Sequence, residues 1–293
     1  MIHTRRTLCL LLLAASSLAQ GACASMSKTA SPEQPRANEP PRFAVLAAND
    51  ERQKAALATW ETVVGRQAAA AGPAPELRPV TATLAGLPAG IQDYPRLPLV
   101  VIEDEKSQSE EETREALRRF LSTAAPLLGV ELKQLSLQEI SDTPAGGGAR
   151  RAIYQQNPFP YPLRNGYGLV EVTFTPDRRV VGLSSTAVPE AATLVRALAS
   201  VAKTLTAEQA AATLANRPVT YKDPGGAQQT RTLTQPEPGS ARQLVVFPVR
   251  RDADPTRLEL HVAWEVEAGG PGAPLLVYVD AATGDLLGAE AGR

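Results

Sequence analysis

The chain has 293 residues, 43% hydrophobic and 21% charged but only 4% aromatic, which is enough apolar material for one or two buried cores and excludes a largely disordered polymer. A formal net charge of −1 argues against a surface built to neutralise phosphates, so no nucleic-acid partner is expected. With 2 His and 2 Cys in the whole chain, most metal-site and thiol chemistry is excluded too, and neither a metal nor a cofactor is expected.

Residues 1–24 read as a secretory signal peptide: Arg5 and Arg6 at the head, an apolar run from Leu8 to Ala15, then small residues. The run is too short to cross a bilayer as a mature helix. Gly21-Ala22-Cys23 resembles the lipobox of bacterial lipoproteins, in which Cys23 would carry the lipid. Gln20 stands where an aliphatic residue is usual, and Ala22-Cys23-Ala24 also reads as an ordinary cleavage site. The expectation is an exported protein, either lipid-anchored in a bacterial cell envelope or secreted. Cys9 lies inside the signal, so no intramolecular disulfide is expected in the mature chain. Losing Arg5 and Arg6 takes the charge from −1 to −3, which leaves a lipid anchor as the expected route to a membrane. Residues 25–42 hold four prolines and almost no large apolar side chain, and read as a Pro-rich tether.

The next elements follow from periodicity and caps. Ala56, Leu57, Trp60, Val63 and Val64 share one helical face, and Asp50 with Gln53 suits an N-terminus, giving a helix over 51–67. Residues 71–98 read as loop or extended chain, and Leu99–Ile102 as a short strand. Ser109 with Glu112 forms a capping box for a helix carrying Leu117, Phe120, Leu121, Ala124 and Leu128 and ending near Gly129. Glu110, Glu111 and Glu112 in its first turn suit the helix dipole as a solvated cap rather than a cation site. Strands are expected over 153–156, 169–175 and 179–185, the last two joined by the turn Thr175-Pro176-Asp177-Arg178. A short helical piece over 194–202 precedes a second capping box, Thr206 with Gln209, whose helix Pro218 closes. Strands follow over 244–249, 258–267, 275–280 and 285–288, with Gly284 in the left-handed position of the last turn.

The order of capped helix, strands and hairpin occurs twice. Val172-Thr173-Phe174 matches Val277-Tyr278-Val279, and Val180-Val181-Gly182 matches Leu286-Leu287-Gly288. The expected fold class is α+β, with two related lobes, each a helix packed on an antiparallel sheet, because the strands arrive as hairpins rather than with crossover helices. The domain reading is a signal peptide over 1–24, a tether over 25–42, an N-terminal region with the first lobe over 43–190, and the second lobe over 191–293.

Chemistry of the chain's own finds little footing. No His-Glu-x-x-His occurs. His261 falls on the polar phase of its strand, which reads as a surface imidazole rather than a triad base. Gly182-Leu183-Ser184-Ser185-Thr186 lacks the closing glycine of a nucleophile elbow. Glu265 and Glu267 read as a solvated strand face, and Gly146-Gly147-Gly148 before Arg150 and Arg151 as a loop rather than an anion cradle. No catalytic residue is therefore assigned. Phe159 and Tyr161, between prolines, are candidate anchors for a protein partner, or rings that fold back onto the lobe. Trp264 reads as core.

These elements resemble the propeptide of thermolysin-type and fungalysin-type metallopeptidases. The first lobe is similar to the FTP domain: Leu127-Leu128-Gly129-Val130, then Tyr154-Gln155-Gln156, then Val180-Val181-Gly182-Leu183. The second is similar to a PepSY domain: Leu205 to Ala210, then Leu260 to Val266, then the closing Tyr278-Val279-Asp280-Ala281-Ala282-Thr283-Gly284-Asp285 hairpin. Residues 157–166 stand where the FTP pattern has a shorter segment. The resemblance covers residues 76–289 and implies binding rather than catalysis: an inhibitor or folding helper of a thermolysin-like metallopeptidase. No peptidase sequence follows the second lobe before Arg293, so action in trans is the expectation. The alternative is an envelope structural or ligand-binding lipoprotein with no peptidase partner. A third, a hydrolase, would depend on His261 or on a carboxylate pair.

Overall fold

The computed structural model describes residues 41–65, 72–100, 110–143, 148–234, 239–269 and 274–292. The signal peptide, Cys23, most of the tether, Ser109, Gly146 and Gly147 lie outside the described residues. Pro40–Arg293 clusters as one compact unit. The α+β class holds, with two main antiparallel sheets and helices laid on them. A clean separation into two lobes is not seen.

Strand β1 (Ala44–Ala47) leads into helix α1 (Asp50–Val64). The cap is Asn49, one residue earlier than expected: its side chain accepts from the backbone N–H groups of Glu51 and Arg52. Ala56 and Trp60 are buried, whereas Leu57 is exposed. The short strands β2 (Glu76–Leu77) and β3 (Leu84–Gly86) pair with each other. Leu99 and Val100 belong to no strand, and Leu99 is 65% exposed, so the strand expected there is not seen in the described part. Helix α2 (Glu110–Leu128) buries Leu117, Phe120, Leu121, Ala124, Leu127 and Leu128. Each fully buried leucine contributes about 2 kcal/mol by area. Glu110 is solvated and pairs with Arg114, but Glu112 turns inward, so the first turn is not wholly a solvated cap. The helix ends at Gly129, whose φ of 68° is left-handed and whose missing Cβ leaves room for Thr83.

The first sheet has the order β4-β5-β6-β7: β4 (Leu135–Asp142), β5 (Arg150–Gln156), β6 (Leu169–Phe174) and β7 (Val180–Ser185). The first of these strands is absent from the sequence reading. Leu135 and Leu137 alternate, but a register shift between Leu137 and Glu139 moves the next apolar residue to Ile140 and breaks the period. One face of the sheet carries Ala152, Tyr154, Val170, Val172, Phe174, Val180 and Leu183 and packs under α1 and α2.

Helices α3 (Ala191–Ala199) and α4 (Ala207–Ala212) follow, the second with the expected Thr206–Gln209 capping box. Pro218 does not end that helix; it opens β8 (Pro218–Lys222), which pairs with β9 (Gln228–Thr232). The second sheet contains β10 (Ala241–Arg251), β11 (Asp254–Ala268), β12 (Leu275–Asp280) and β13 (Leu286–Ala291). Its long strand β11 pairs with β10 on one side, and with β1 and then β12 on the other. The N-terminal β1 is thus built into the C-terminal sheet. Leu163 bridges to Val246 on β10, so residues 162–165 strap the first sheet's long loop onto the second.

The two hairpins, β6–β7 and β12–β13, match as the sequence suggests. Each has a register shift at the aligned step, Thr173/Phe174 and Tyr278/Val279, and each sets the aligned glycine, Gly182 or Gly288, opposite Thr173 or Tyr278.

Candidate functional site

The feature with most chemistry is the face of the second sheet turned away from α3 and α4. It carries Glu259, His261, Ala263 and Glu265 of β11, Val245, Phe247 and Val249 of β10, and Tyr278 and Asp280 of β12. Alternation along β11 marks this face as wet. The structure buries it: His261 is 3% exposed and Glu265 and Asp280 are 2% exposed. The surface imidazole and the solvated Glu265 expected from sequence are therefore corrected.

The physical reason is threefold. The strap supplies Arg164 and Asn165 from the loop after β5; the Arg164 guanidinium donates to Glu265 at 2.6 Å and the Asn165 amide to the Pro248 carbonyl at 2.8 Å. The N-terminal Phe43 ring lies 4.7 Å from the His261 ring, centroid to centroid. The sheet also curls: Phe247 on β10 packs on Tyr278, ring centroids 4.6 Å apart, and its ring fills the space where Gly288 on β13 lacks a Cβ. In a flat sheet β10 and β13 would stand about 14 Å apart, three strand spacings.

Every buried charge here is paired, which is the condition for burying it. Glu265 accepts from Arg164 and from the Gln243 amide at 3.1 Å. Burial pushes its carboxyl up, but the hydrogen bonds from Arg164 and Gln243 and the Arg164 charge outweigh this and hold it below the usual range. On Arg164, burial acts downward and Glu265 upward, and the net is a raised value. Asp280 ends β12: one of its oxygens accepts the Ala282 and Thr283 N–H groups and the other meets His261 Nδ1 at 2.6 Å. His261 Nε2 meets Glu259 at 3.0 Å, and Arg251 holds the same carboxylate at 2.8 Å. The Tyr278 hydroxyl is buried without a hydrogen bond of ordinary geometry; burial and the carboxylates of Glu290 and Glu265 push it well up.

Two cavities open on this face and share Val249 and Leu287. One of about 410 Å³ is lined by His261, Asp280, Arg42, Phe43, Arg251 and Thr283. The other, about 890 Å³, has Phe247, Val249 and Leu287 among its apolar walls and is bordered by β13, the end of β8 and Asn165.

The arrangement orients and neutralises its buried polar groups. Both ring nitrogens of His261 face carboxylates, so neither is turned toward a hydroxyl. Thr283, the hydroxyl in the same cavity, is bonded to Asp285. Among the described residues no group of three or more His, Cys, Asp and Glu side chains could hold a metal ion, and no helix is long and apolar enough to cross a membrane.

Phe159 and Tyr161 lie half-buried on the core under α3, and Lys203 stands 5.9 Å from the Tyr161 ring. Trp264 packs between two core clusters and donates to the Leu205 carbonyl. Arg151 pairs with Glu171 on the open face of the first sheet. The sequence reading missed Arg164, Phe247, Tyr278 and Asp280. Only the polar residues on one phase of a strand, Glu259, His261 and Glu265, hinted at them, and they read equally as solvent-facing.

No family model matches the sequence, and no curated protein does. Among solved structures the chain is similar to the Bacillus megaterium YpeB C-terminal domain, with a TM-score of 0.29 and 12% identity over 69% of this chain and 74% of that one. A likeness this loose carries no argument about fold or function.

Proposed function

We infer that this chain is an exported, non-catalytic, propeptide-like protein that binds a thermolysin-like metallopeptidase as a separate chain and inhibits it or helps it fold. The observation that carries this reading is the match between the β6–β7 and β12–β13 hairpins. They share a register shift and an aligned glycine, and their residues resemble FTP and PepSY propeptide domains. The His261 network supports a binding role, since its polar groups are consumed in holding the face together. Cys23 would serve as the lipid attachment point that keeps the protein in the envelope.

The test mixes the purified, signal-free chain with secreted thermolysin-like peptidases, native and unfolded. The reading expects a stoichiometric complex with at least one of them, together with lost peptidase activity or a higher refolding yield. No complex, no inhibition and no refolding gain across the panel would overturn it. Cys23→Ser, expressed with its signal, should release the protein from the membrane fraction if the lipid anchor is real.

A further inference from the structure

A third cavity, of about 320 Å³, opens where three distant parts of the chain meet: the segment that carries β2 and β3, the chain just after the strap, and the end of β10. Each part brings one polar side chain, and each is placed for a local reason. Arg78 opens a tight turn: its N–H donates to the Thr83 carbonyl at 2.8 Å, and its carbonyl accepts from Ala82, whose φ of 54° is left-handed. The Arg78 Nε donates to the Ser185 carbonyl at 3.0 Å. That bond fixes the guanidinium and leaves both its terminal nitrogens without a partner among the described residues. Tyr167 follows the left-handed pair Asn165 and Gly166, and the Asn165 amide is tied to the Pro248 carbonyl on β10, close in sequence to Arg250. Arg250 stands at a register shift between Val249 and Arg251 and has no partner across the ladder.

Three carboxylates lie in the neighbourhood. Glu76 lines the same cavity, and Asp223 and Glu290 border the larger one that Arg250 also touches. Among the described residues none of them forms an ion pair with Arg78 or Arg250. Asp223 is tied into its own turn by the Ala227 N–H and the Gln229 amide, and Glu290 acts on the Tyr278 hydroxyl and on Arg164. At the Tyr167 hydroxyl the charges that act are those of Arg250 and Arg78, with no carboxylate among them. Burial outweighs both and holds the phenol above its ordinary value, so at neutral pH it keeps a proton to donate. Two guanidiniums and a hydroxyl, drawn from three segments, suit a group with several acceptor oxygens and more than one negative charge. A planar carboxylate offers two oxygens, and a phosphate group three or four. The apolar walls, Leu77, Val80 and Ala85, leave room for a small organic group beside it.

We propose that Arg78, Arg250 and Tyr167 form a binding site for a phosphate-class oxyanion, either free or borne by the headgroup of a membrane lipid. The two guanidiniums take its charge, and the Tyr167 hydroxyl donates to one of its oxygens. The site is separate from the peptidase-binding role proposed above and stands or falls without it.

The probe is inorganic phosphate, titrated calorimetrically into the signal-free chain with the ionic strength held constant by sodium chloride. The expected result is saturable binding, with acetate weaker by about tenfold. Arg250→Gln and Tyr167→Phe break no hydrogen bond of the described chain. They should weaken phosphate binding by about tenfold and about threefold, and leave the thermal midpoint in phosphate-free buffer unchanged. Co-sedimentation with phosphatidylcholine vesicles, with and without phosphatidic acid, separates the two sources. Binding that requires phosphatidic acid and is lost in Arg250→Gln assigns a lipid headgroup, whereas phosphate binding without vesicle binding assigns a soluble phosphate. The proposal is overturned if phosphate does not saturate and no vesicle binding depends on Arg250. It is equally overturned if phosphate and acetate bind alike, or if Arg250→Gln leaves the affinity unchanged.

Discussion

The two sheets share a hairpin but not a fate. The first keeps one face under α1 and α2 and leaves the other half open, where Arg151 and Glu171 sit as a half-exposed pair. The second is covered on both sides. Its inner face meets α3 and α4, and its outer face closes over Glu265, His261 and Asp280. A strand's alternation reports that its residues point to two sides; it does not report whether the polar side is later covered. The same period of two therefore means surface in one sheet and a buried charge layer in the other.

The largest expected effect tests that contrast directly. Glu265→Ala should destabilise the protein by about 3 kcal/mol, because it strands the Arg164 guanidinium in a covered site. Chemical denaturation would measure it, and Glu265→Ala combined with Arg164→Met should recover part of the loss. A cost below about 0.5 kcal/mol for Glu265→Ala would mean that the face is wet after all.

A smaller effect separates the matched glycines. Gly288→Ala would put a Cβ 2.8 Å from the buried Phe247 ring, and about 1–3 kcal/mol is expected from the overpacking. Gly182→Ala meets the Thr173 Cβ at 3.0 Å on the open face, a longer contact than that at Gly288, and should cost less. Equal costs would remove the distinction between a covered and an open face at these positions.

Acid should expose the same difference. The Glu265 carboxyl is held below its ordinary value, so its contribution is present at neutral pH and is lost as pH falls through the folded-state value, below about 4.5. Stability curves of the wild type and Glu265→Gln should converge towards low pH and part above it. The smallest effect is expected for Glu171→Ala, under about 0.5 kcal/mol, since its pair with Arg151 remains in contact with water.

Much of the architecture was legible because its signals are local. The Thr206–Gln209 box, the Thr175–Arg178 turn and Gly284 at the left-handed step of the last hairpin each involve residues a few positions apart. Other strands left no such trace. β4 breaks its own alternation at a bulge, β9 reads Gln-Gln-Thr-Arg-Thr with no apolar side, and the four residues of β1 become a strand only by pairing with β11. The candidate site was the least legible part. His261 and Glu265 were visible as residues, but their surroundings were not.

The amino-acid order by itself determined the presence of the main helices to within a turn, where hairpins turn, and that one hairpin motif occurs twice, because these depend on hydrogen bonds and steric limits within a few residues. Tertiary structure alone decided that a polar strand face is buried. The groups that close it come from afar: Arg164 meets Glu265 across 101 residues of chain, and Phe43 reaches His261 from the N-terminal segment. Burial of a charge is tolerable only when its partner arrives, and the arrival depends on how the whole chain packs.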